Sequence, residues 1–178
     1  MFAATPLGIL AGAVFSILML LAALGDFRTR RIPNRIVLAI AVLGLIYSAL
    51  MPPSALGALR GVEGLGTGLL CWLPFYALGW LGAGDVKLFA AAGAWLGPMR
   101  AVEGSLIAAL LGAVLALLWM LRTRGIRNAV ETLGIAASLP SVLAESPGDT
   151  DRIRTLPYGV AIATGALCAA WVPGLLLS

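Results

Sequence analysis

Long apolar runs separated by short polar stretches dominate this 178-residue chain. A helix that crosses a bilayer needs about 20 mostly apolar residues, within a range of about 17–25. Six runs are candidates for membrane segments. They are Pro6–Gly25, Ile36–Met51, Leu65–Leu81, Val86–Leu96, Gly104–Leu121 and Pro157–Leu177. The pattern therefore predicts an all-α, polytopic membrane bundle with about six transmembrane segments.

The fourth run leaves two interpretations open. Val86–Leu96 is short and carries Lys87 near its start. It is too short to cross a bilayer alone, so it either continues the glycine-rich turn before it or forms a partial helix inside the bundle. The third run contains Pro74, which neighbouring helices can accommodate in a membrane.

The composition supports a membrane environment. Hydrophobic residues make up 61% of the chain and charged residues only 11%, with a mean hydropathy of +1.01. Soluble domains carry about 25% charged residues, so this chain has too little polar surface for a water-soluble globule. Because Met1–Thr5 holds no Lys or Arg, we expect Pro6–Gly25 to be a permanent first helix and not a cleaved signal peptide.

The basic residues predict an orientation. With the N-terminus outside, the outer loops hold only Arg60 and Arg100, and the other ten Lys and Arg residues fall in inner loops. This bias follows the positive-inside rule, provided that Val86–Leu96 counts as a crossing. Both termini are then outside. Nucleic-acid binding is not expected, because it needs a basic face with interleaved aromatic residues.

The longest polar region, residues 122–155, is predicted to lie on the inner side between the fifth and sixth segments. Within it, Ile126–Leu143 is moderately apolar and pairs Arg127 with Glu131 at helical spacing, which is typical of an interfacial helix. Ala144–Asp151 has the composition of a loop. We find no internal repeat and expect residues 1–178 to form a single membrane domain.

Cysteine and histidine usage argues against a metal site. Cys71 and Cys168 both lie in apolar runs, no CxxC pair is present, and the chain has no histidine. A zinc site built from Cys and His is therefore excluded, and no metal or other cofactor is expected.

Two acidic residues differ from the rest. Six of the eight are predicted to lie in polar stretches, where solvated charges need no further explanation: Glu63, Glu103, Glu131, Glu145, Asp149 and Asp151. Asp26 and Asp85 instead lie at the inner boundaries of apolar segments, at the same membrane face. Ionisable residues at membrane depth are costly and indicate function.

Two neighbouring carboxylates can hydrolyse an amide. They cannot both ionise cheaply, so the pair shares one proton. The ionised member can draw a proton from water while the protonated member polarises the scissile carbonyl. This chemistry needs no metal, cofactor or covalent intermediate. The lack of histidine fits it, because mechanisms that rely on a Ser-His or Cys-His pair are unavailable.

Position alone leaves other roles open for both residues. Asp26 could be an interfacial carboxylate neutralised by the basic residues after it, which are Arg28, Arg30 and Arg31. Asp85 could form a salt bridge with Lys87 or cap the fourth helix. The glycines before Asp85, at 79, 82 and 84, permit unusual backbone angles and close approach of a substrate, or simply let helices pack closely.

Three motifs together resemble the type IV prepilin peptidase family, the bacterial relatives of archaeal preflagellin peptidases and, more distantly, of presenilin. Asp26–Asn34 reads DFRTRRIPN and is similar to the family's first aspartate block. Gly79–Asp85 reads GWLGAGD and matches the family's GxΦGxGD pattern, in which Φ is apolar. Leu156–Gly159 reads LPYG and is similar to the family's PYG motif.

The resemblance implies an aspartic-type endopeptidase in the bacterial inner membrane, a multi-pass protein surrounded by lipid. Its substrates would be prepilin-like or pseudopilin precursors, whose short, positively charged leader is cleaved at the cytoplasmic face. By motif match, Asp26 and Asp85 would be the catalytic aspartates.

Other residues match the family's motifs and are expected to shape the site or bind substrate. They are Pro33, Asn34, Gly82, Gly84, Lys87, Pro157 and Tyr158. The resemblance implies that Pro33 and Asn34 shape the turn after the first helix. Gly82 and Gly84 would give backbone freedom beside Asp85.

One departure from the family narrows the expected activity. Long prepilin peptidases carry an extra N-terminal region, often with paired CxxC motifs, that is associated with methylation of the new N-terminus. This sequence starts directly with the first apolar helix and lacks such cysteines. It resembles the short, peptidase-only form of tight-adherence (Flp) pilus systems, so methyl transfer is not expected.

Two other function classes are weighed against the peptidase. A proton-coupled small membrane transporter would place carboxylates near the bilayer midplane and show an inverted repeat, and we find neither. A non-catalytic pilus-assembly membrane factor would keep the fold without the activity. The presence of both Asp26 and Asp85 argues against that factor.

Overall fold

The structure, a computed structural model, describes residues 5–29, 32–51, 54–79, 81–137 and 158–172. All regular structure in these ranges is α-helical, which confirms the predicted all-α class. The helices are α1 (Pro6–Thr29), α2 (Asn34–Leu50), α3 (Ser54–Ala77), α4 (Ala83–Leu96), α5 (Pro98–Ala137) and α6 (Tyr158–Trp171).

Two helices are long and apolar enough to cross a membrane. They are α1 and the Pro98–Leu118 part of α5, while α2 and α6 are apolar but shorter. Large aliphatic side chains on α1, including Leu10 and Ile17, lie more than half exposed on the outer surface. An apolar outer surface of this kind fits a lipid environment.

Several helices begin or end away from the predicted boundaries. The first helix continues past Gly25 to Thr29, which places Asp26 inside the helix. The third begins at Ser54, well before the predicted Leu65, and contains Pro74 as expected. Apolar runs therefore locate the helices here but underestimate the length of the first and third, because polar residues continue the same backbone hydrogen-bond pattern, whereas α6 ends at Trp171, before the predicted Leu177.

The predicted division of the fifth segment is wrong. The sequence suggested a span over Gly104–Leu121 followed by a separate interfacial helix over Ile126–Leu143, whereas α5 is one helix of 40 residues. Arginine is a good helix former, so the basic cluster ends the apolar run without ending the helix. Residues 138–157, which include the rest of that predicted helix and the predicted loop Ala144–Asp151, lie outside the described ranges.

The short helix α4 lies at the centre of the bundle. Every residue from Leu88 to Leu96 is buried. With 14 residues, α4 is about 21 Å long, shorter than the roughly 30 Å hydrocarbon core of a bilayer. α4 is therefore a short helix whose apolar part is enclosed by the rest of the bundle.

Small residues bring the helices close to α4 and to one another. A Cβ atom added at Gly64 of α3 would strike the backbone of Gly93 of α4, and the converse also holds. On the other side of the bundle, a Cβ added at Gly165 of α6 would lie 2.6 Å from the Cβ of Ala108 in α5. Such small-residue contacts are typical of helix packing in membranes.

A buried tryptophan ties α1 and α2 to α4. The indole N–H of Trp95 donates a hydrogen bond of 2.7 Å to the carbonyl oxygen of Ile40. Its ring centroid lies 5.3 Å from that of Phe15 in α1 and 5.5 Å from that of Tyr47 in α2. The indole donor is satisfied at the site where the ring is buried, as buried tryptophans require.

One acidic residue is not solvated as its sequence position suggested. Glu103 is only 4% exposed and lies within α5, not in an outer loop. Nearby, the guanidinium of Arg100 donates a hydrogen bond of 3.2 Å to the carbonyl oxygen of Ala169 in α6. By contrast, Glu63 lies exposed on α3. The prediction of a solvated charge holds for Glu63 and is wrong for Glu103.

Candidate active site

The sequence spacing of α1 places Asp26 on its buried face. The buried residues of this helix recur at intervals of three and four and end with Met19, Ala22 and Asp26. Residues with this spacing share one side of a helix. The Asp26 side chain is 7% exposed, so α1 carries a carboxylate into the interior of the bundle.

The carboxylate of Asp26 accepts a hydrogen bond from a residue that is distant in the sequence. The backbone N–H of Gly159 donates a buried hydrogen bond of 2.8 Å to the Asp26 Oδ2 atom. Gly159 is the second residue of α6, and the first four N–H groups of a helix have no partner within it. This end of a helix also carries partial positive charge, which stabilises a carboxylate.

Asp85 is held by its own loop. It is the third residue of α4, after the N-cap residue Gly82. The Asp85 Oδ2 atom accepts a hydrogen bond of 3.2 Å from the backbone N–H of Gly82. The capping role considered from the sequence is therefore real, because the carboxylate satisfies a free N–H at the start of the helix.

The two carboxylates lie close enough to influence each other. Asp85 precedes the fourth apolar run and lies outside the helices long enough to cross a membrane. Burial, and then the negative charge of Asp26, raise the pKa of Asp85 to about 7, although the Gly82 hydrogen bond lowers it. Tyr158, beside Gly159, also lies within the electrostatic range of Asp85. All three motifs therefore contribute residues to one site.

The sequence left other roles open for the two aspartates, namely ion pairs with nearby basic residues and a helix cap. No ion pair joins Asp85 to Lys87, which is exposed on α4. Arg28 is also exposed, at the end of α1. Of the other possible partners of Asp26, Arg30 and Arg31 lie outside the described residues. For Asp85 the cap is present and the salt bridge to Lys87 is absent.

The turn after α1 follows the expected pattern. Pro33 has an extended backbone, with φ −62° and ψ 126°, and serves as the N-cap of α2, which begins at Asn34. Both residues are exposed. Ile32, just before them, packs on the glycine turn, since a Cβ added at Gly84 would lie 3.6 Å from the Cβ of Ile32. The first and second motifs are therefore in contact.

Of the three glycines before Asp85, one adopts an unusual backbone conformation. Gly82 has φ −77°, and a Cβ added there or at Gly84 would make only ordinary or slightly tight contacts. Gly79, at the start of the motif, has φ 74°. That conformation favours glycine. Gly79 thus shows the unusual angles that the sequence suggested for this group of glycines, and Gly82 and Gly84 have no positive φ.

Tyr158 and Pro157 complete the set of predicted site residues. Tyr158 is half-buried, and its ring lies against α5, where a Cβ added at Gly112 would lie 3.0 Å from the Cε1 atom. Pro157 lies outside the described residues. Gly159, which makes the contact to Asp26, was not among the residues that the sequence singled out. Its position in the PYG motif was the available signal.

The arrangement offers carboxylates and backbone donors as its chemical groups. Within the described part of the chain, no group of three or more His, Cys, Asp or Glu side chains could hold a metal ion. Asp26 is buried and Asp85 half-buried, and the two lie close enough for the charge of Asp26 to raise the pKa of Asp85.

Two curated proteins share sequence with this chain. It is 36% identical over 110 residues to a prepilin leader peptidase/N-methyltransferase of Pectobacterium carotovorum, covering 58% of this chain and 37% of that protein. It is 38% identical over 102 residues to a protein of the same name in Xanthomonas campestris, covering 53% and 35%. The matched part thus spans little more than a third of each relative.

The family comparison covers the first two motifs. No solved structure matches the chain. The model of the type IV leader peptidase family matches residues 13–117, which include Asp26 and Asp85. This match extends over more than half of the chain. The chain belongs to the type IV leader peptidase family.

Proposed function

We propose that this protein is a membrane aspartyl endopeptidase that removes the leader peptide from prepilin-like precursors. This proposal rests on one observation. Asp26 and Asp85 belong to separate helices, and they lie within electrostatic range of each other at one end of the bundle. Family membership and the names of both relatives support the choice of substrate.

The proposed chemistry needs one proton on the pair. The ionised carboxylate accepts a proton from water as the water oxygen bonds to the scissile carbonyl carbon. The protonated carboxyl donates its proton to the carbonyl oxygen, which gives a neutral tetrahedral intermediate. Transfer of a proton to the amide nitrogen then breaks the C–N bond, releasing a new carboxyl group and a new amine. The pair ends with one proton, as it began.

The proposal also states at which face of which membrane the active site lies. The site lies at the inner face of the bacterial plasma membrane, with the N-terminus outside and residues 122–155 on the inner side. The distribution of Lys and Arg supports this orientation, with α4 counted as one of six crossings. Gly84, next to Asp85, lies against Ile32 in the turn after α1, which the same orientation places on the inner side.

We also propose that this protein catalyses only the peptidase step and not methyl transfer. Residues 1–178 would form the single domain that catalyses it. Both relatives are named as N-methyltransferases too, but the sequence that they share with this chain is about a third of their length. The chain has two cysteines and no CxxC pair, which supports an activity without methyl transfer.

Precursor processing in cells tests the proposal. Wild-type protein and the variants Asp26→Asn and Asp85→Asn are each co-expressed with a prepilin that carries a basic leader before its apolar helix. Glu63→Gln, on an exposed carboxylate of α3, is the matched control. We expect wild type and Glu63→Gln to cleave the precursor, and the two Asp variants to insert in the membrane without cleaving it.

Two further measurements, with a chelator and by mass spectrometry, test the metal-free mechanism and the absence of methyl transfer. A chelator should leave cleavage unchanged, and mass spectrometry should find the new N-terminus unmethylated when this protein acts alone. Normal processing by Asp85→Asn would contradict the assignment of the pair. Methylation of the product would contradict only the peptidase-only proposal.

A further inference from the structure

Gly159 stands out because two independent features place it against Asp26. Its N–H donates the 2.8 Å hydrogen bond to Oδ2, and both groups are buried. A Cβ atom added at Gly159 would lie 2.7 Å from the same Oδ2, 2.8 Å from the Asp26 Cβ and 2.9 Å from its Cγ. The carboxyl group therefore occupies the space that a side chain at 159 would need.

We propose that Gly159 is a positioning residue for Asp26, holding its carboxylate as the ionised member of the pair that activates water. This inference rests on the proposed function. The N–H stabilises the charged form of Asp26 by a direct hydrogen bond at the positive end of α6. The absence of a side chain lets the carboxylate approach that N–H.

The two aspartates differ in a way that assigns their roles. Asp26 accepts a buried bond of 2.8 Å, whereas Asp85 accepts an exposed bond of 3.2 Å from Gly82. The shorter bond is stronger, and burial strengthens it further. Asp26 thus retains the negative charge, and Asp85 carries the shared proton that is donated to the substrate carbonyl.

Substitution of two glycines on the same helix separates positioning from packing. Gly159→Ala places a methyl group against Asp26. Gly165→Ala, the matched control, places one 2.6 Å from the Cβ of Ala108 and touches no aspartate. Both should lower the thermal stability of the protein. Among folded molecules, only Gly159→Ala should lose kcat, by about 100-fold for a displacement near 1 Å, with KM unchanged.

A spectroscopic measurement tests the contact without relying on activity. The three tyrosines are followed by Ser48, Ala77 and Gly159, so labelling tyrosine carbonyls with ¹³C and glycine nitrogens with ¹⁵N selects a single amide. At neutral pH the Gly159 amide proton should resonate far downfield in wild type and in Asp85→Asn. It should move upfield in Asp26→Asn, because the charged acceptor is gone.

The outcomes separate this inference from the proposed function. Equal amide shifts in wild type and Asp26→Asn, or equal loss of kcat in both glycine variants, would overturn the role of Gly159 while cleavage by wild type upheld the peptidase. Failure of wild type to cleave any prepilin would overturn the proposed function, and the positioning role with it, even if the amide contact were observed.

Discussion

Asp26 and Asp85 carry the same functional group but are held by opposite means. Asp26 accepts its hydrogen bond from a residue 133 positions further along the chain, and Asp85 from a residue three positions before it. The first contact forms only when α6 packs on α1, whereas the second forms as α4 begins. One carboxylate therefore depends on tertiary structure and the other on local structure.

This difference explains the dissimilar environments of the pair. Packing of α6 against α1 buries Asp26 to 7% exposure. The glycine turn before α4 leaves Asp85 half-buried, so that part of its side chain is exposed. A pair with one enclosed and one accessible carboxylate has distinct proton affinities, which is what acid–base catalysis by two like groups requires.

The largest effect expected in the wild-type protein is on the pH dependence of cleavage. Because the pKa of Asp85 is about 7, this group loses the shared proton as the pH rises through that value. Above it, kcat/KM should fall about tenfold per pH unit. Rates measured with a purified precursor peptide from about pH 5 to about pH 9 would show this profile. A constant rate across the alkaline half would contradict it.

A smaller effect is expected on stability, and it compares the two carboxylates directly. Asp26→Ala leaves the Gly159 N–H buried without its acceptor, which should cost about 1–3 kcal/mol of unfolding free energy. Asp85→Ala leaves only the exposed Gly82 N–H to water, and it removes a carboxyl whose raised pKa shows that its charge destabilises the folded state, so this variant should cost less than Asp26→Ala or stabilise the protein.

Relief of the repulsion between the aspartates is common to both variants, so the difference between them reports the hydrogen bonds together with the burial of each carboxylate. Unfolding in mixed detergent micelles, followed by circular dichroism, gives both values. A larger loss for Asp85→Ala would reverse the comparison.

The smallest effect is expected at Lys87. This residue is exposed and makes no ion pair with Asp85, so Lys87→Gln should change the unfolding free energy by less than about 0.5 kcal/mol. The same unfolding assay measures it. A loss comparable to that of Asp26→Ala would show that Lys87 supports Asp85 in a way that the structure does not contain.

Local patterns in the sequence predicted much of this architecture. Apolar runs located the helices, and the spacing of Met19, Ala22 and Asp26 is readable as one helical face. The glycine motif marked the loop that holds Asp85. These features succeed because each depends on neighbours within about four residues, where helix geometry fixes what lies together.

Two of the features that sequence reasoning missed are non-local. Nothing near Glu103 reveals that α5 turns it into the bundle, and nothing near Asp26 names Gly159 as its donor. The continuity of α5 past Arg122 was also missed, because hydropathy measures the solvent that side chains prefer and not the backbone hydrogen bonds that continue a helix.

The central claim is that Asp26 and Asp85 act as one unit on a prepilin leader. The most direct measurement is kcat/KM of purified wild type, Asp26→Asn, Asp85→Asn and the double variant on a single precursor peptide. We expect each single variant to lose at least about 10³-fold and the double variant to be no worse, because neither residue works without the other. A single variant with normal activity, or losses that multiply in the double variant, would contradict the claim.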